Sequence, residues 1–187
     1  MNLPNAEECV ISHIGSLQNA LHCVTQAKPR HDGWSVGADH AVTFQHDSEV
    51  TLRRSDHRSS LRFALSQGYR ITRDLDADQV QRFRLTATHY DYGIMANDGR
   101  EIVVFHWHPE RGGVTWPHLH VGSLMIDSTR HDIGRRFSGL HLPTSRISIE
   151  QVVRALITQF DVTPLRANWQ SILDEGDVAF KQTRTWA

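Results

Sequence analysis

Apolar residues at Val10, Ile14, Leu17, Leu21 and Val24 recur at three- and four-residue spacing, which predicts an amphipathic helix over 6–27 that must end before Pro29. The period then changes. Ala41-Val42-Thr43-Phe44, Val50-Thr51-Leu52 and Leu61-Arg62-Phe63-Ala64-Leu65 are short apolar runs between polar turns and read as successive strands of a meander, with a short helix as the alternative for the last. The polar stretch 74–82 reads as a helical turn opened by Asp74 or Asp76. Phe83 to Met95 is rich in threonine and tyrosine and reads as a strand. Asn97-Asp98-Gly99 is a turn signal, and Ile102-Val103-Val104-Phe105 resumes the extended pattern. A Gly- and Pro-containing loop at 109–117 leads to Pro117-His118-Leu119-His120-Val121, where polar and apolar positions alternate. Residues 127–147 have no dominant period and read as an irregular segment. Ser148 with Gln151 forms a capping-box pattern before Val152, Val153, Leu156 and Ile157, and Thr163-Pro164 reads as the start of a last helix reaching 175. The order predicts one α+β domain over 1–187, a central antiparallel sheet flanked by N-terminal and C-terminal helices.

Pairing arithmetic sharpens the central hairpin. With Asp98-Gly99 as a two-residue turn, paired residue numbers sum to 197, which sets Asp91 opposite His106 and His89 opposite His108. Tyr92 then faces Phe105 and Tyr90 faces Trp107 on the other side of the sheet. A one-residue slip would set Asp91 against Phe105, so segregation of polar from apolar groups favours this register. A strand at 117–123 returning beside 101–108 adds His118 and His120 to the same polar face.

Charge and composition narrow the chemistry. The 187 residues carry 20 Lys and Arg against 21 Asp and Glu, a formal net charge of -1, so the total does not describe a strongly basic nucleic-acid surface. No apolar run approaches the roughly 18 residues a membrane helix needs, and the start lacks a signal-peptide pattern, so a cytoplasmic protein is expected. Cys9 and Cys23 are too few for a disulfide framework and read as packing residues. The thirteen histidines stand out, and four of them, His106, His108, His118 and His120, fall within fifteen residues.

Three readings of these four histidines stay open. They can be a solvated sheet face. They can be metal ligands, with His89, Asp91, His106, His108, His118 and His120 as the candidate set, since two His-x-His pairs on adjacent strands can converge on an ion. Or His106, His108, His118, His120 and Asp91 can serve acid–base chemistry on a phosphate ester, with Arg111 steadying the phosphoryl oxygens. That third reading expects no cofactor. Arg53, Arg54, Arg58 and Arg62, and the Arg135-Arg136 pair, are candidate phosphate-facing patches, and Trp116 a candidate base-stacking residue.

The order from the tyrosine-rich strand through Asp98-Gly99, the apolar strand ending in His106, Pro117-His118-Leu119-His120, Pro143 and the helix with Glu150, Val152 and Val153 resembles the TumE-type toxins of toxin–antitoxin systems over residues 83–160. The resemblance implies a small endoribonuclease, RNA as substrate and an antitoxin protein as partner, with His118 and His120 as the residues carried over. About eighty additional N-terminal residues depart from that pattern. A non-enzymatic protein-interaction module is the rival reading. The broad apolar arc of the first helix, with Cys9, His13 and Ala20 beside the stripe, leads to the expectation of a homodimer.

Overall fold

The computed structural model describes residues 5–45, 49–56, 59–75, 81–110, 112–122 and 141–183. Its elements run α1 (Ala6–Leu21), β1 (Pro29–His31), β2 (Asp39–Phe44), β3 (Glu49–Arg53), β4 (Ser60–Leu75), β5 (Gln81–Ala96), β6 (Glu101–Trp107), β7 (His118–Val121), β8 (His141–Pro143), α2 (Ile149–Thr158) and α3 (Trp169–Thr183). The strands form one eight-stranded sheet in the order β1-β2-β4-β5-β6-β7-β8, with β3 paired to the first half of β4, and every pairing is antiparallel. The architecture is therefore the expected α+β sheet with flanking helices.

Period-two alternation gives the sheet two unlike faces. Phe63, Leu65, Tyr69, Ile71, Tyr90, Tyr92, Ile94, Val103 and Trp107 are buried on one of them. They share a core with Val10, Leu17 and Leu21 of α1, Val152, Val153 and Leu156 of α2, and Leu173 of α3. The wide apolar arc of α1 is covered within the chain, because α1 touches β1, β5, α2 and α3. His13, on that arc, is half-buried and meets the side chain of Gln67 at 3.0 Å, which satisfies the buried polar Gln67 on the core face. Loss of solvent around its ring lowers the His13 pKa, with the Gln67 bond opposing it.

Several boundaries differ from the pattern-based expectation, each for a local reason. Helix α1 stops at Leu21 rather than 27. Cys23 and Val24 reach the core from a turn, and the Thr25 hydroxyl takes the Ala27 N–H at 3.1 Å, a bond that competes with helix continuation. Asp74 and Leu75 end β4 and pair with Arg82 and Gln81, so the ends of the 74–82 stretch are strand; 76–80 lie outside the described residues. The last helix begins at Trp169, not at Thr163-Pro164. Thr163 N–H donates to the Arg53 carbonyl at 2.9 Å and Val162 bridges Arg54, which holds this stretch extended along the end of β3. Of the irregular segment 127–147, residues 127–140 lie outside the described residues and 141–143 form edge strand β8.

The hairpin register holds, although the assumed two-residue turn does not. Gly99 N–H donates to the Ala96 carbonyl and Ala96 N–H to the Arg100 carbonyl, both at 2.9 Å, so the loop is the three residues Asn97-Asp98-Gly99. Gly99 takes a φ of 84°, the left-handed value this loop needs at its third residue. That turn alone would make paired numbers sum to 196, as Met95 with Glu101 does. An irregularity between Ile94 and Met95 then admits Ile102 as an extra residue in β6, and from Ile94 with Val103 onward the sum is 197.

A second offset lies in β5. Gly68 pairs with His89 but Tyr69 pairs with Ala87, leaving Thr88 as the extra residue. Odd-numbered residues of β5 before Thr88, among them Phe83 and Leu85, thus pack on the core, whereas His89, Asp91 and Gly93 after it point the other way.

Candidate metal centre on the polar sheet face

Cross-strand register lays the site out in rows. Ser66, Asp91, His106, His118 and Pro143 occupy one row across β4 to β8, and Ala64, Gly93, Val104, His120 and His141 the next. From β4 to β7 the members point away from the helices, because their strand neighbours pack on the core. Adjacent strands stand ~4.8 Å apart, so neighbouring imidazoles in a row fall within ring-contact range. The ring centroids are 4.6 Å apart for His106 and His120, 4.7 Å for His118 and His141, and 4.2 Å for His120 and His141.

Two groups of three donors result among the described residues. His118, His120 and His141 form one and Asp91, His106 and His108 the other, and within each group one donor atom from each residue lies within 4.8 Å of the others. In the first group His120 Nε2 and His141 Nδ1 are 3.0 Å apart. His118 Nδ1 is 2.8 Å from the Trp116 carbonyl, an acceptor only, so Nδ1 carries the proton and Nε2 keeps its lone pair. In the second group the Asp91 carboxylate receives His106 Nδ1 and His108 Nε2, the latter at 2.8 Å. His118 is buried, His141 exposed, and the remaining four partly buried, so the cluster is open on one side.

Electrostatics keep Asp91, His118 and His120 in their ligating forms. Burial first, then the nearby imidazoles, push the His120 pKa down to about 4, and burial lowers that of His118 against the opposing Trp116 hydrogen bond. Both rings are therefore neutral near pH 7. For Asp91, burial by itself would raise the pKa, but the hydrogen bonds from His106 and His108 outweigh it, so the net shift is downward and the group is a carboxylate.

Asp91, His106, His108, His118 and His120 thus come together as the sequence implies. His118 lies directly opposite His106, while His120 lies opposite Val104, so β7 flanks the outer half of β6 rather than the His108 end. His89 stacks on His108 with centroids 5.3 Å apart but belongs to neither donor group. Arg111 lies outside the described residues, as do Arg58, Arg135 and Arg136. Arg62 is paired with Glu49, and Arg54 with Asp161 and Asp56. Trp107 is buried under the Arg146 guanidinium, 3.7 Å above its ring, and Trp116 is half exposed. Sequence reasoning missed His141. Its signal was His141-Leu142-Pro143, a polar–apolar alternation ending in an edge-compatible proline, much as Pro117 precedes β7.

Fold and site together define an α+β protein with a histidine-lined sheet face. No protein family, curated protein or solved structure matches the chain, so its chemistry is read from this geometry. No described helix is long and apolar enough to cross a membrane.

Proposed function

We propose that this chain is a metalloprotein that binds a divalent transition ion, zinc by preference, through His118, His120 and His141. The observation that carries the reading is the approach of His120 Nε2 to His141 Nδ1 at 3.0 Å, beside a His118 ring whose Nε2 is left with its lone pair. Two nitrogens on a tetrahedral ion at ~2.05 Å stand about 3.3 Å apart, so ligation needs only a few tenths of an ångström of adjustment. The bond from His118 to a backbone carbonyl is the outer contact that metal-bound imidazoles ordinarily make. Three imidazoles on an open face leave a fourth position for water or a ligand, the arrangement of ions that act as Lewis acids rather than structural clips.

The test is metal analysis of tag-free protein dialysed against zinc, followed by competition with a chromophoric chelator. Zinc should co-purify, and His141→Ala should weaken its binding by at least ~100-fold, more than loss of an outer-shell contact does. Wild-type protein that holds no zinc, nickel or manganese would remove the reading. Metal-free acid–base cleavage of RNA, the activity implied by the toxin resemblance, gives the opposite result: cutting of a mixed single-stranded RNA that persists in EDTA and is lost in His118→Ala.

A further inference from the structure

We propose that Asp91, His106 and His108 hold a second divalent ion, so that the sheet face carries a binuclear centre whose exchangeable ligand is a phosphate-type oxyanion. The inference rests on the three-histidine reading above and extends it.

The second donor group has the composition of a metal site in its own right. Two imidazoles and one carboxylate are a mixed nitrogen–oxygen set that suits first-row divalent ions. Asp91 Oδ1 is the meeting point, accepting His106 Nδ1 from β6 and His108 Nε2 from just past its end. The atoms that converge there are those that would ligate: an ion would take the place of the two shared protons, each of which would move to the other nitrogen of its own ring through solvent, so that both imidazoles ligate uncharged. His106 lies on β6 and His108 just past its end, and Asp91 comes from the neighbouring strand directly opposite His106, much as His118, His120 and His141 meet across β7 and β8. The groups are contiguous. His106 stands in the row of His118, with its ring 5.6 Å from that of His118 and 4.6 Å from that of His120.

Charge then selects the ligand class. Two divalent ions bring four positive charges, and Asp91 is the one carboxylate in the two donor groups. Of the further described acids on or beside the sheet, Asp39 and Glu110 are turned to Arg70, at 2.8 Å and 4.0 Å, and Glu49 to Arg62. The two donor groups would then keep an excess of three positive charges, since an imidazole ligates through a lone pair and brings no negative charge. Such a site binds oxygen anions strongly, and paired ions that share an oxyanion are the arrangement used for phosphate esters.

The experiment measures zinc per chain by plasma mass spectrometry in tag-free wild-type protein, His108→Ala, His108→Gln and His141→Ala, each confirmed folded by circular dichroism. Inorganic phosphate is then titrated calorimetrically into the zinc-loaded proteins. The expected result is about two zinc ions in the wild type and one in both His108 variants, with phosphate affinity falling at least ~10-fold in those variants. The Gln variant keeps a side chain of similar bulk, so a folding defect confined to Ala leaves the count readable. One zinc in wild type and in both His108 variants, with none in His141→Ala, overturns the second ion and leaves the three-histidine site standing. No zinc in the wild type overturns both. Two ions with no phosphate binding overturns the assigned ligand class.

Discussion

Gly122 closes β7 at a point where no side chain fits. A Cβ built there lies 1.9 Å from the Glu101 carbonyl oxygen and 2.4 Å from its carbon, and the neighbour is backbone rather than a flexible tip. Ordinary contact demands more than 3 Å, so Gly122→Ala must push the strands apart by over 1 Å at this point. Overpacking of this kind costs about 1–3 kcal/mol, and strand separation also endangers the Gly122 N–H bond to the Ile102 carbonyl at 2.8 Å, worth about 1 kcal/mol net. The expected loss is about 2–4 kcal/mol, which for a chain of this size lowers Tm by about 5–15 °C. Thermal and urea unfolding followed by circular dichroism measure it. Gly112→Ala serves as control, since nothing stands within 4 Å of a Cβ there and it should shift stability by under ~0.5 kcal/mol. Because β7 carries His118 and His120, the Gly122 variant should also bind zinc more weakly while Gly112→Ala does not. A Gly122→Ala protein with wild-type Tm would refute the close approach of β7 to the Glu101 backbone.

Gly15 is exposed in the middle of α1 with nothing within 4 Å of the position an added methyl would take, so Gly15→Ala should stabilise the protein by about 0.5–1 kcal/mol in urea unfolding. Glu150 is buried at the start of α2, and burial followed by the nearby Asp177 charge raises its pKa despite hydrogen bonds that oppose the shift. A carboxyl whose pKa is higher folded than unfolded lends stability at low pH that is lost as pH rises through the folded value. Glu150→Gln should therefore flatten the decline in stability between the ordinary glutamate range and neutrality, and an unchanged pH profile of unfolding would count against it.

What could be read from the sequence was what alternation enforces. The polar and apolar partners of Asp91, Tyr92 and Tyr90 follow from burying one face, so the register survived an incorrect turn: the three-residue loop and the extra Ile102 cancel. The capping box at Ser148 and Gln151 was legible because both halves of it are local, and both form. His141 was only faintly legible, since the alternation of His141-Leu142-Pro143 is three residues long and its register is set by pairing with β7. The Thr163-Pro164 helix start failed for a related reason, because a backbone donor claimed by Arg53 outweighs a local cap preference.

Thr88 makes β5 two strands in one as far as inheritance is concerned. Each single-residue offset is a change of sign: it exchanges inside for outside for everything on one side of it. Removing Thr88 would carry Phe83 and Leu85 into water and Arg84 toward the core while leaving His89 and Asp91 in place. Changes of residue type along this strand are thus judged position by position, but a change of length is judged all at once. The histidine face can drift in composition far more readily than its strands can gain or lose a single residue.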